Sequence, residues 1–210
     1  MRVGKRRLAL QTEVSVELGA QDDSLEIPWA SPEGEVRYYD LRRQPELLLN
    51  ITETHHNREL GEFLVSINSD HSILETAKCD TWLSNEMTEE ESIYGASWKF
   101  GSYIDLIFGE AGPRTSLERH EEFADSASRL LRRVPEIPAA AELVVRRCYY
   151  HDPGAPDPEV SEAGFCLTFY LYGYGDEEAE ARQRWAIALK VVENALLQLS
   201  AAQRRAAAAG

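Results

Sequence analysis

The chain has 210 residues, 43% of them hydrophobic, which is enough for one large globular domain or two small ones, and its formal net charge is −14 with an isoelectric point near 4.8. That charge argues against a nucleic-acid binder, which needs a local surplus of Lys and Arg, and against an anionic membrane surface, which would repel it. No apolar run of about 18 residues occurs, so no bilayer span is expected.

The basic start, residues 1–7, is followed by Gln11, Glu13 and Glu17 rather than by an apolar export core, and the three cysteines lack CxxC spacing. A cytoplasmic protein with reduced thiols is the expectation.

Residues 8–18 alternate apolar and polar with a period of two, the pattern of a half-exposed strand. Residues 19–23 read as a turn, and Leu25, Ile27 and Trp29 as a short return strand whose Pro28 suits an edge. Residues 35–41 read as another strand. Residues 46–54 fit either a strand, through Leu47, Leu49 and Ile51, or a Pro-initiated helix; the strand is preferred. From Asn57 the period becomes helical, with Leu60, Phe63, Leu64 and Ile67 on one stripe.

Residues 73–83 predict a strand with Lys78, Asp80 and Trp82 on one side and Ala77, Cys79 and Thr81 on the other. An acidic loop with Glu86, Glu89, Glu90 and Glu91 separates it from an amphipathic strand over residues 98–108, where Gly101 is read as a bulge. Thr115 and Glu118 form a capping box for a helix whose stripe runs through Leu117, His120, Phe123, Ala124, Ala127, Leu130, Leu131 and Val134 and stops at Pro135.

Residues 143–151 and 165–172 give two more strands around a proline-rich loop. From Asp176 an acidic first turn opens a helix with the stripe Ala181, Trp185, Ala188, Leu189, Val192, Ala195, Leu196 and Leu199, while Arg182, Arg184, Lys190 and Glu193 take its other side. Trp185 is expected to be buried against Phe165, Leu167, Phe169 and Leu171. The Ala-rich tail, residues 201–210, adds at most a fraying end.

Helix starts at Asn57, Thr115 and Asp176, each after two strand-like segments, suggest a strand-strand-helix unit used three times over residues 1–70, 71–137 and 138–200. The predicted class is α+β in one domain, residues 1–200: a mostly antiparallel sheet with about three helices on one face, the alternative being two ferredoxin-like halves.

With the aliphatic alternates facing the helices, the other face carries Lys78, Asp80, Trp82, Lys99, Tyr103, Asp105, Arg146, Tyr170 and Tyr172, joined by Tyr150. Rings mixed with charges suit a binding surface; a solvated face with cross-strand pairs is the competing reading. Asp80 and Asp105, tuned by Lys78 and Lys99, have the chemistry of a carboxylate pair, although structural ion pairs are commoner.

His55, His56, Glu59 and His71 lack a metal-binding spacing, His120 lies on an apolar stripe, and Cys79, Cys148 and Cys166 carry no nucleophile signature. No cofactor and no metal are expected.

The primary functional expectation is a non-catalytic, cytoplasmic, inhibitor-like or immunity-like protein whose acidic surface recognises a basic protein partner. The alternative is an enzyme or small-ligand protein using the open sheet face; self-association through that face is a third possibility.

Overall fold

The computed structural model describes residues 10–19, 25–31, 33–35, 37–134, 137–151 and 161–209. The start of the first predicted strand, most of the turn after it, Val36, the helix stop at Pro135 and the proline-rich loop lie outside the described residues.

Two antiparallel hairpins form the centre of an α+β fold. β3 (Leu74–Ser84) pairs with β4 (Trp98–Phe108), β5 (Ala139–His151) pairs with β6 (Ser161–Gly175), and β4 joins β6, again antiparallel. β1 (Gln11–Glu17) and β2 (Leu25–Ile27) complete a six-stranded, mostly antiparallel sheet of order β1-β5-β6-β4-β3, with β2 also on β5.

β2 is not the return strand of a hairpin. β1 and β2 both run parallel to β5, Glu17 opposite Arg146 and Leu25 opposite Cys148, so the chain leaves one sheet edge and rejoins it in the same direction. Alternation reports which face a residue takes and is blind to strand direction. The first of the three expected units is therefore not built as a hairpin with a helix, and one continuous sheet replaces the two ferredoxin-like halves.

The helices are α1 (Thr52–His56), α2 (Arg58–Ile67), α3 (Ala111–Arg114), α4 (Leu117–Leu131) and α5 (Glu178–Ala209), with 3-10 turns at Pro45–Asn50 and Glu91–Tyr94. α5 lies across β6 and β4, between α2 and α4. Its stripe delivers Ala181, Trp185, Ala188, Leu189, Val192 and Leu196 to the main core, where α2 adds Leu60, Phe63, Leu64 and Ile67, and α4 adds Phe123, Ala124, Ala127 and Leu131. Among the described residues no helix is long and apolar enough to cross a membrane.

Trp185 is fully buried. Its ring meets Phe100 edge to face at 4.8 Å and its Nε1 donates to Ser102 Oγ at 2.8 Å, both on β4, its backbone lies over Gly173 of β6, and it shares the main core with Leu167, Phe169 and Leu171.

Residues 45–50 and 52–56 are helical rather than a strand, with Ile51 the one extended residue between them. Pro45 suits a first turn because it has no N–H to lose. Leu47, Leu48 and Ile51 pack on the core while Leu49 is 75% exposed, and a strand would have put Leu49 on the side of Leu47. Residues 37–41 are not a strand either: Arg37 makes an isolated bridge to Ala30, Tyr38 N donates to Trp29 O at 2.8 Å, and Leu41 is buried in the core.

The N-cap of α4 is Ser116, whose side chain accepts from Arg119 N, and Thr115 closes the short α3 instead. The bulge lies on β3 between Thr76 and Lys78, not at Gly101. It carries Ala77 to the far face of the sheet, into a second cluster with Ile27, Ile107, Cys148, Tyr150 and Cys166. Glu193, expected on the solvent side of α5, is 5% exposed and accepts from Ser66 Oγ at 2.9 Å and Lys190 Nζ at 2.7 Å. The Ala-rich tail continues α5 to Ala209, held by Arg204 Nη2 donating to His71 O at 2.6 Å.

Candidate functional site

The face of the sheet opposite α5 is built in transverse rows, because residues in register on neighbouring strands share a face. One row reads Glu13, Glu142, Tyr170, Tyr103, Asp80 across β1, β5, β6, β4 and β3. Beside it lie Tyr172, Gly101 and Trp82, and on the other side Thr168, Asp105 and Lys78. Lys99 stands opposite Tyr174, and Arg146 opposite Cys166. All nine predicted residues thus occupy one face.

The aromatic members form a contiguous half-buried layer. Ring centroids are 6.5 Å apart for Trp82 and Tyr103, 6.0 Å for Trp82 and Tyr172, and 6.2 Å for Tyr103 and Tyr170. Gly101 makes room for Trp82: a Cβ there would stand 2.5 Å from the indole Cε2. The indole covers a glycine in the sheet, so the missing side chain at one position sets the ring position at another. Arg146 lies 5.5 Å over Tyr170 and Lys99 5.9 Å over Tyr172. Burial, and then the nearby Glu142 charge, push the Tyr172 hydroxyl up to about 12.

The charges are not equivalent. Asp80 is exposed, its Oδ1 accepting from Thr81 N at 2.6 Å. Asp105 is buried, its Oδ1 accepting from Thr168 Oγ1 at 2.6 Å. Burial raises the Asp105 pKa above the ordinary range, opposed by the Thr168 hydrogen bond and the Lys78 and Arg146 charges. Lys99 does not tune it: its Nζ pairs with Glu91 Oε2 at 2.9 Å, and Glu91 also accepts from Tyr174 Oη at 3.0 Å. Glu91 is therefore engaged inside the fold, whereas Glu86, Glu89 and Glu90 of the acidic loop are exposed.

A carboxyl whose pKa is raised by folding stabilises the fold while protonated, below about pH 4, and that contribution is lost as pH rises through the folded value. Asp105→Asn keeps an acceptor for Thr168 and stays neutral. It is expected to raise the thermal midpoint at pH 7, with the gain shrinking as pH falls through the raised folded value and gone below about pH 4. An unchanged or lower midpoint at pH 7 would show that the Lys78 and Arg146 charges outweigh the burial.

Part of the face is closed, and Tyr150 belongs to that part. β2 and Tyr38 lie over the second cluster; Tyr150 is 8% exposed, its Oη donating to Phe165 O at 2.6 Å and its ring under the Arg114 guanidinium at 5.0 Å. Sequence reading missed this cover because β2 reaches the site through a contact more than 120 residues distant. It also missed Thr168, Tyr174 and Glu13, although the parity that singled out Tyr170 and Tyr172 places Thr168 and Tyr174 beside them.

Comparison of the chain with protein-family models, with curated proteins and with solved structures finds no match. His120 is a core residue, 2% exposed, with Nδ1 at 2.8 Å from Ser116 O and its ring edge-on to Phe108. Cys148 and Cys166 are buried and Cys79 is half-buried. Among the described residues no three or more His, Cys, Asp or Glu side chains gather as a metal site.

Proposed function

We propose that this chain is a non-catalytic, cytoplasmic interaction protein that binds a basic protein partner, in the manner of inhibitor or immunity proteins. The observation that carries this reading is the transverse row Glu13, Glu142, Tyr170, Tyr103, Asp80: two tyrosine rings on rigid strands with carboxylates at both flanks.

Aromatic rings supply contact area at little entropic cost, and flanking charges orient the partner and raise its rate of encounter. Glu13 and Glu142 stand directly opposite each other, and burial, then the Glu13 and Glu17 charges, raise the Glu142 pKa. Like charges so placed destabilise a sheet, and a cation from a partner relieves the repulsion. The net charge of −14 extends the attraction beyond this face.

The test is retention of partners on immobilised protein. A partner of high isoelectric point is expected to bind at about 0.05 M salt and to be released near 0.5 M, where screening is several-fold shorter in range. Replacing both Tyr103 and Tyr170 with alanine is expected to weaken that partner by about thirtyfold or more, the size of a hot-spot loss near 2 kcal/mol. Retention that ignores both salt and the double substitution would remove the proposal.

A further inference from the structure

A cleft of about 290 Å³ opens at the sheet edge, between the bulge of β3, the start of α1 and the segment following β2. Leu41, Leu64 and Ala77 give it a buried apolar floor. Trp29 and Tyr39 are its walls, and Trp29 is fixed by its Nε1 donating to Ala77 O at 2.7 Å, at the bulge.

Four charges complete the lining: Arg37, Lys78, Glu35 and Glu53. The two cations lie on the two aromatic walls, Lys78 Nζ 5.1 Å from the Trp29 ring and Arg37 Cζ 5.8 Å from that of Tyr39. Glu53 Oε2 accepts from Thr52 Oγ1 at 3.3 Å. Among the described residues none of the four is in an ion pair, although opposite charges line the same cleft. Lys78 also acts at a distance on Asp105.

Charges left apart around an apolar floor match a ligand that carries both signs itself. The volume lies at the lower end of small-molecule sites, roughly 300 to 1,000 Å³, which excludes a nucleotide or a long peptide and suits one amino acid. We propose that this cleft binds a free α-amino acid with an aromatic or large aliphatic side chain. The side chain occupies the floor between Trp29 and Tyr39, the carboxylate faces Arg37 and Lys78, and the ammonium faces Glu53 and Glu35. Both charges reside on one residue only in the free amino acid, so an internal peptide residue does not satisfy the site. This site and the transverse tyrosine row stand or fall separately.

Calorimetric titration of the full chain with L-phenylalanine, 3-phenylpropionate and 2-phenylethylamine tests it, because the last two each lack one charge. L-Phenylalanine is expected to bind about ten- to a hundredfold more tightly than either, the range for losing a hydrogen-bonded charge. Arg37→Gln with Lys78→Gln is expected to weaken L-phenylalanine and 3-phenylpropionate and to spare 2-phenylethylamine, and Glu53→Gln to weaken L-phenylalanine and 2-phenylethylamine while sparing 3-phenylpropionate. The ligand series needs no variant and reads out even if a substitution impairs folding. Equal affinities for all three compounds, or no saturation by L-phenylalanine at about 10 mM, would overturn the assignment.

Discussion

Trp185→Ala is expected to lower stability by about 3 to 5 kcal/mol, the range for deleting a large aromatic side chain from a core. For a chain of this length that corresponds to a fall of roughly 6 to 20 °C in the thermal midpoint. The side chain is wholly excluded from solvent and stands where α5 crosses the sheet, against Phe100 and Ser102. Few neighbours can collapse into the space, because the backbone of α5 rests on β6 and cannot approach further. Two losses contribute: the ring's burial, and the Nε1–H bond to Ser102 Oγ. Trp185→Phe separates them, keeping most of the apolar surface and losing the donor, so its midpoint should fall between those of wild type and Trp185→Ala. A midpoint for Trp185→Ala within a degree or two of wild type would mean that α5 does not owe its docking to this residue.

Gly173→Ala should be nearly as damaging, for the opposite reason. A Cβ at this position would be 2.7 Å from Trp185 Cα and would also crowd Trp185 N and Ala181 O, all of them backbone atoms closer than the 3.0 Å that real Cβ contacts respect. Side chains can rotate away from an added methyl; a helix backbone moves only as a unit. The cost is expected to be at or above the usual overpacking range of about 1 to 3 kcal/mol, read by chemical denaturation. Gly112→Ala is the control, since its new methyl meets nothing within 4 Å, and it should change stability little. If the two substitutions behaved alike, close approach of α5 to β6 would not be what the glycine provides.

These two positions show how much was legible beforehand. The stripe of Trp185 is local information: apolar residues spaced for a helix must bury one side, and α2, α4 and α5 all do so with the residues their spacing selected. Parity in β4 and β6 is equally local, which is why the nine candidate residues on the open face fall together. The role of Gly173 is not local. A glycine in a strand is compatible with a bulge, a bend or a close crossing, and only the position of α5 above it selects the last.

What the sequence determined by itself is the set of periodic elements and the side of each that is dry, because those follow from a repeat of 3.6 or 2 acting over a few residues. The tertiary structure decided which strands are neighbours and in which direction they run. Glu17 and Arg146 meet at 2.9 Å across 129 residues of chain, a choice made by packing and invisible to alternation. It decided residues 45–56 as well, where one pattern fits two periods and burial of Leu47 and Ile51 without Leu49 selects the helical one. It placed β2 and Tyr38 over part of the open face, withdrawing Tyr150 from solvent and leaving the tyrosine row half-exposed. The physical reason is common to all three: side-chain periodicity is a short-range property, whereas the partner that covers a face is set by burial summed over distant segments.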